Sequence, residues 1–208
     1  MLVLAVETAS PVPAATLLLA GERPPSEKME SLLLGERTAE LLPRRVRELL
    51  GLGGVGLGSL DRIVVATGPG SFTGIRAGVA FCRGLARALG RPVYGFGTFE
   101  AAGLAVREPP EVDFVLDAGR GEVFRAARRS GVLSGPALVG RAEALESAAG
   151  RGISVVDLGA SPLPLSWALA RLAARAPLEA GGLFRSPLAY GRASAAEERF
   201  GPPAEGPA

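Results

Sequence analysis

Histidine is absent from this chain of 208 residues, and cysteine occurs once, at Cys82. The first absence removes the commonest general base and the commonest transition-metal ligand together. A Ser-His-Asp triad, a HExxH zinc site and a Cys-His pair are therefore excluded. The second absence excludes an internal disulfide, and a lone thiol in an apolar run reads as core rather than nucleophile. Lysine is also scarce: of 23 basic residues all but Lys28 are arginine, and against 21 acids they leave a formal +2. That balance is too even to imply a nucleic-acid partner. Arginine in place of lysine, beside 29 glycines and 17 prolines, reads as the product of a high-GC genome and fits a thermophile as well. No apolar run approaches the roughly 18 residues of a membrane span, and the opening MLVLAVETAS carries no basic leader, so a cytoplasmic chain is expected.

What is present is ample apolar material, 48% of the residues, enough for an ordinary core in one domain or two small ones. LVLAV and AATLLLA read as strands around the polar, proline-bearing ETASPVP, with Gly21 to Lys28 as a turn region. From about Leu32 to Leu50 apolar residues recur at helical spacing. Pro43 inside that pattern is expected to kink the helix or to start its second part. DRIVVAT is a buried parallel strand, GPGSFTG a turn into a helix from Phe72 to about Ala88, RPVYGFG a strand and FEAAGLAV a short helix. A second unit then opens at about Glu111 with VDFVLDAGRGEVFRAARRSG, again strand, acidic turn and return strand. Beyond it lie a strand near Ala137 to Val139, a helix near Arg141 to Ala149, the strand ISVVDLG and a helix near Leu165 to Arg175, before a polar tail ending GPPAEGPA. The expected organisation is a first half over residues 1–108 and a second over 109–208, each a mixed sheet covered by helices.

Three stretches are candidates for function. ATGPGSFTGIRAGVAF at 66–81 looks like a nucleotide loop but fails both templates: no lysine follows Gly70 or Gly74 as a Walker loop requires, and Thr73 stands where GxGxxG needs its third glycine. Gly70, Gly74, Gly78 and Cys82 fall four apart, a row of small side chains whose cost of about 1 kcal/mol per helical glycine implies close backbone approach. The approaching surface is either this chain's own sheet or a second chain. Glu7-Thr8 and Asp117-Ala118-Gly119 resemble in placement the acidic hairpins that the two halves of actin-type, sugar-kinase and Hsp70-type proteins turn toward nucleotide and metal, although an acid at a strand end is also an ordinary turn-former. RRVR at 44–47 and the group Arg125, Arg128, Arg129 read as solvated faces without the aromatics of a stacking platform.

LAVETA, the LLP at 41–43, GPGSFTGIRAGVAFCRGLA at 68–86, DAGRGEVF at 117–124 and SPLAYGR at 186–192 resemble, in order, the TsaB (YeaZ) family. The resemblance implies a duplicated α/β fold of the actin-like or Hsp70 type (ribonuclease H-like), its second half reduced. It also implies a catalytically silent subunit that binds the metal-holding transferase TsaD, joined by the ATPase TsaE. That complex passes a threonylcarbamoyl group to the adenosine beside the anticodon of tRNA. On this reading the chain holds no metal or catalytic residue, pairs with itself when alone, meets tRNA indirectly or weakly, and meets ATP or ADP only at the junction with TsaD. The implied interface comprises Arg37, Leu41, Leu42, Gly70, Ser71, Phe72, Gly74, Ile75, Gly78, Phe81 and Cys82, so that Gly74→Leu is expected to abolish association without unfolding the monomer. Glu7, Thr8 and Asp117 are the residues that would face a nucleotide. Many relatives carry Asp where Glu7 stands, His where Arg37 stands and DAR where this chain has Asp117-Ala118-Gly119. The competing reading is a stand-alone ATP-dependent phosphotransferase or ATPase, with Glu7 and Asp117 at the phosphates.

Overall fold

The structure is a computed structural model, which describes residues 1–21, 27–35, 38–107, 109–160 and 165–177. The apolar runs at the start of each half form the middle of a sheet. In the first, strands β1 (Leu2–Glu7), β2 (Ala14–Ala20), β3 (Glu27–Leu33), β4 (Arg62–Ala66) and β5 (Val93–Phe96) take the order β3-β2-β1-β4-β5. β1 runs antiparallel to β2 and parallel to β4, and every residue of β1 and β4 is buried. Helices α1 (Thr38–Leu52), α2 (Phe72–Leu89) and α3 (Thr98–Ala105) belong to this half.

The second half repeats the plan. Strands β6 (Val112–Gly119), β7 (Glu122–Arg129), β8 (Val132–Gly140) and β9 (Ser154–Asp157) take the order β8-β7-β6-β9, with β6 antiparallel to β7 and parallel to β9 across the helix α4 (Arg141–Ala149). The acidic hairpins thus open equivalent meanders, and the faint repeat in the sequence is a duplicated topology. Among the described residues the second sheet lacks a counterpart of β5. The last described helix, α5 (Ser166–Arg175), lies against β1 and β2 of the first sheet rather than on its own. Its alanines, Ala168, Ala170 and Ala173, are fully buried and let the backbone lie close, while the Ser166 and Thr16 hydroxyls meet at 2.7 Å.

One element differs from expectation. The helix expected from Leu32 starts at Thr38, because Leu32 and Leu33 end β3, an edge strand whose charged residues Lys28 and Glu30 hide it from a hydrophobicity reading. Pro43 lies inside α1, which runs as one helix from Thr38 to Leu52. Pro43 and Ala39 are both exposed, so water can serve the carbonyl that proline leaves without a donor. Arg37, SPLAYGR and the GPPAEGPA tail lie outside the described residues. Among the described residues no helix is long and apolar enough to cross a membrane.

Candidate functional site

The β1–β2 connection, the loop before α2 and the end of β6 border a cleft of about 770 Å³. The turn that borders it is held from beneath by Glu7, which does not itself line the cleft. One carboxylate oxygen accepts hydrogen bonds from the Ala9 and Ser10 amides at 2.7 and 2.9 Å, and the other accepts from the Ser10 hydroxyl at 2.5 Å. Glu7 is fully buried, and burial pushes its carboxyl above the usual value against the lowering effect of those bonds. The acid expected to face phosphates is therefore spent on folding the turn. Thr8 is likewise engaged, its hydroxyl donating to the Gly74 carbonyl at 2.7 Å. Asp117 is exposed at the cleft and is the sole ionisable side chain lining it among the described residues.

The turn is welded to the start of α2. The Ser71 amide donates to the Ala9 carbonyl at 2.8 Å, and the Ser71 hydroxyl caps the helix by accepting from the Gly74 amide at 3.1 Å. Thr98 ties the loop from the other side, its amide donating to Gly68 O and its hydroxyl to Pro69 O, each at 2.8 Å.

This geometry decides between the two readings of the glycine row. A Cβ at Gly70 would lie 2.2 Å from Ala9 O, one at Gly74 1.9 Å from Thr8 O, and one at Gly78 2.3 Å from the Thr8 hydroxyl. Cys82 and Ile75 are fully buried, and burial raises the Cys82 thiol. The row packs on the chain's own turn and sheet: Gly70 and Gly74 press against the turn but stay partly exposed at the cleft, whereas Gly78, Ile75 and Cys82 are buried and are corrected from interface to core. Leu42, 1% exposed, joins them. Gly74→Leu would damage the monomer itself. Of the other expected interface residues, Ser71 and Phe72 are exposed, Leu41 and Phe81 partly so. What remains outside on α2 is a different row: Phe72, with the Arg76 guanidinium 5.2 Å from its ring centre, then Ala80, Arg83, Gly84 and Arg87.

Other groups escaped sequence reasoning. Arg128, expected to be solvated, is buried and donates to the carbonyls of Gly103, Val106, Arg107 and Pro109, which binds the second sheet to the end of α3. Arg62 of β4 does the same for α5, donating to Ala173 O and Ala176 O. Asp113, 1% exposed, collects Arg125, Arg129 and Arg151. Burial works to raise its carboxyl, but the hydrogen bonds from Arg129 and Arg125 outweigh it and hold it below the usual range. The signals were present as a charge at or beside the start of an apolar strand, in DRIVVA and VDFVL, but the partners lie far along the chain. No group of three or more Cys, Asp or Glu side chains suited to a metal occurs among the described residues.

The family model for TsaD, tRNA N6-adenosine threonylcarbamoyltransferase, matches residues 34–150, from before α1 to the end of α4. The chain belongs to this family. Within it the chain is TsaB-like. It is 32% identical over 124 residues to the tRNA threonylcarbamoyladenosine biosynthesis protein TsaB of Haemophilus influenzae, covering 58% of this chain and 51% of that one. An uncharacterized Mycobacterium tuberculosis protein is 35% identical over 144 residues, 65% of this chain and 64% of the relative, so the match spans just under two thirds of that relative's length. The solved structure of YeaZ from Pseudomonas aeruginosa superposes with a TM-score of 0.54 at 30% identity, over 67% of this chain and 66% of that one. The fold of this TsaB-like chain is accordingly the duplicated actin-like one, and its family is that of tRNA threonylcarbamoyladenosine biosynthesis.

Proposed function

We propose that this chain is a non-catalytic subunit that binds TsaD, with TsaE, and supports threonylcarbamoyl transfer to tRNA. The observation that carries the reading is the outer face of α2, where Phe72 is 40% exposed and the small residues Ala80 and Gly84 leave the helix backbone open to solvent. A Cβ at Gly84 would meet nothing within 4 Å, so glycine there serves nothing inside the monomer. A partner helix lying close along that face would explain it. The cleft supports the non-catalytic part. Glu7, the acid at the corresponding turn, is fully buried and its carboxylate oxygens accept from the Ala9 and Ser10 amides and the Ser10 hydroxyl, which leaves Asp117 as the acid at the cleft among its described lining.

The test is light scattering of the purified chain, alone and mixed with TsaD from the same organism. Gly84→Leu and Ala80→Trp should abolish association while leaving the melting temperature within a few degrees. Wild-type association by both variants would overturn the assignment. ATP turnover by the chain alone, lost in Asp117→Asn, would favour the phosphotransferase reading instead.

A further inference from the structure

The second sheet and the end of α4 carry a cationic cluster that neither the cleft nor the α2 face uses. Arg125 and Arg129 lie four residues apart on one face of β7, about 13 Å along the strand, yet both guanidinium groups reach the same carboxylate. Arg125 donates to Asp113 Oδ2 through Nε at 3.0 Å and through a terminal nitrogen at 2.7 Å, and Arg129 donates to Oδ1. Arg151, just past α4, adds a contact to Oδ2 at 3.3 Å and is itself held by Nε donating to Ser147 O at 2.9 Å. Among the described residues no other carboxylate pairs with these three groups. Three guanidinium charges against one carboxylate leave a surplus of two positive charges.

The cluster is both fixed and reachable. Asp113 is 1% exposed and serves as an anchor, whereas the arginine side chains keep 22%, 29% and 46% of their surface in solvent. Arg129 also donates one terminal nitrogen to the carbonyls of Val112 and Arg128 and so mainly supplies charge. Arg125 and Arg151 each engage only Nε and one terminal nitrogen, so their remaining terminal N–H donors, in planes of fixed orientation, face an incoming oxyanion. Among general acceptors, phosphate matches that geometry and charge best. Among the described residues none of these three groups lies over an aromatic ring, in contrast to Arg128 over Phe114, so the cluster has no stacking platform for bases. The ligand would be gripped by its backbone, without regard to sequence.

We infer that Arg125, Arg129 and Arg151 form a phosphate-backbone site for RNA, placing tRNA in direct contact with this subunit. The inference rests on the tRNA-modification reading of the family but not on association with TsaD.

The experiment is fluorescence anisotropy of a labelled tRNA transcript titrated with the full chain, alone and with TsaD, across a salt series. The wild-type affinity should fall as salt rises, with a logarithmic slope of about −2 for two to three phosphate contacts. Arg151→Glu, at the most exposed member, should weaken binding about tenfold at low salt and reduce the slope by about one, while Arg151→Lys keeps the slope. Thermal melting of each variant separates loss of binding from loss of fold. Unchanged tRNA binding by Arg151→Glu would overturn the proposal. So would tight binding of polyglutamate in preference to tRNA, which would make the cluster a dock for acidic protein. Light scattering with TsaD keeps the two claims apart: Arg151→Glu should still associate with TsaD. A wild-type chain that ignores TsaD yet shows the Arg151-dependent tRNA binding would refute the partner reading while upholding this one.

Discussion

Gly74→Ala is the sharpest test of the correction made to the glycine row. The added carbon would stand 1.9 Å from Thr8 O and 3.0 Å from the carbonyl carbon. Ordinary contact begins near 3.4 Å, and the turn cannot retreat, since the Glu7 carboxylate holds the next two amides at 2.7 and 2.9 Å. The helix start must move outward. That motion stretches the bonds from the Thr8 hydroxyl to Gly74 O, 2.7 Å, and from the Ser71 amide to Ala9 O, 2.8 Å. Two hydrogen bonds at about 1 kcal/mol each and overpacking of about 1–3 kcal/mol give a loss of roughly 3–5 kcal/mol. Alanine's helical preference offsets at most about 1 kcal/mol, leaving a net loss of roughly 2–4 kcal/mol. At about 2–4 °C per kcal/mol for a chain of this size, the melting temperature should drop by roughly 10 °C in a thermal circular-dichroism scan. Gly84→Ala is the control: with nothing within 4 Å of its new carbon, it should gain about 0.5–1 kcal/mol. A second comparison identifies the obstacle. The Gly78 carbon would collide with the Thr8 hydroxyl at 2.3 Å, so Thr8→Ala should relieve Gly78→Ala but not Gly74→Ala, whose obstacle is main chain. Melting of Gly74→Ala at or above wild type would refute the reasoning, as would equal relief of both by Thr8→Ala.

Because burial raises the Glu7 carboxyl above its ordinary 4.5, the folded state keeps that proton to higher pH than the unfolded state. Its contribution to stability is full below about 4.5 and is lost as pH rises through the folded value. Glu7→Gln keeps an acceptor for the two amides and removes the titration, so urea midpoints should shift in its favour with rising pH; parallel curves would contradict this. The lowered carboxyls of Asp113 and Asp157 act in the opposite sense, losing stability only as pH falls below their ordinary 3.8, and cancel in the comparison. Cys82, buried with its thiol pushed up by burial, should ignore DTNB in the native protein and react once urea unfolds it. Rapid native labelling would show that α2 opens locally. Arg128→Met should cost about 2–4 kcal/mol in urea unfolding, because buried carbonyls at the end of α3 lose their donors. An unmoved midpoint would mean that water replaces the guanidinium.

How much was legible follows from the range of each interaction. The central strands, α2 and the repeated acidic hairpins were readable because run length and spacing are local signals. β3 was not, since Lys28, Glu30 and Ser31 on a sheet edge obey no core pattern. The glycine row announced a close approach but not its partner, which lies 66 residues away at Thr8. Glu7 looked like a ligand for the same reason that it makes a good turn: a carboxylate accepts several amide hydrogens, and sequence does not say whether those amides are its own. Arg125 and Arg129 were readable as charge but not as a pair converging on one buried acid, because that depends on strand register.

The two buried arginines explain how separate sheets can serve separate contacts. Arg128 leaves the second sheet to cap the end of α3 in the first half, while Arg62 leaves the first sheet to cap α5, which comes from the second. Each places a cation at the negative end of a helix dipole and satisfies carbonyls that the helix cannot. The chain thus crosses between its halves twice, and each crossing is held by a buried charge whose loss would leave several acceptors unpaired. The outer face of α2 and the arginine cluster on β7 share no element and no hydrogen-bonded residue. A protein partner on the first and an RNA backbone on the second, as proposed, would therefore not compete for side chains, and the clamped halves would hold one surface in register with the other.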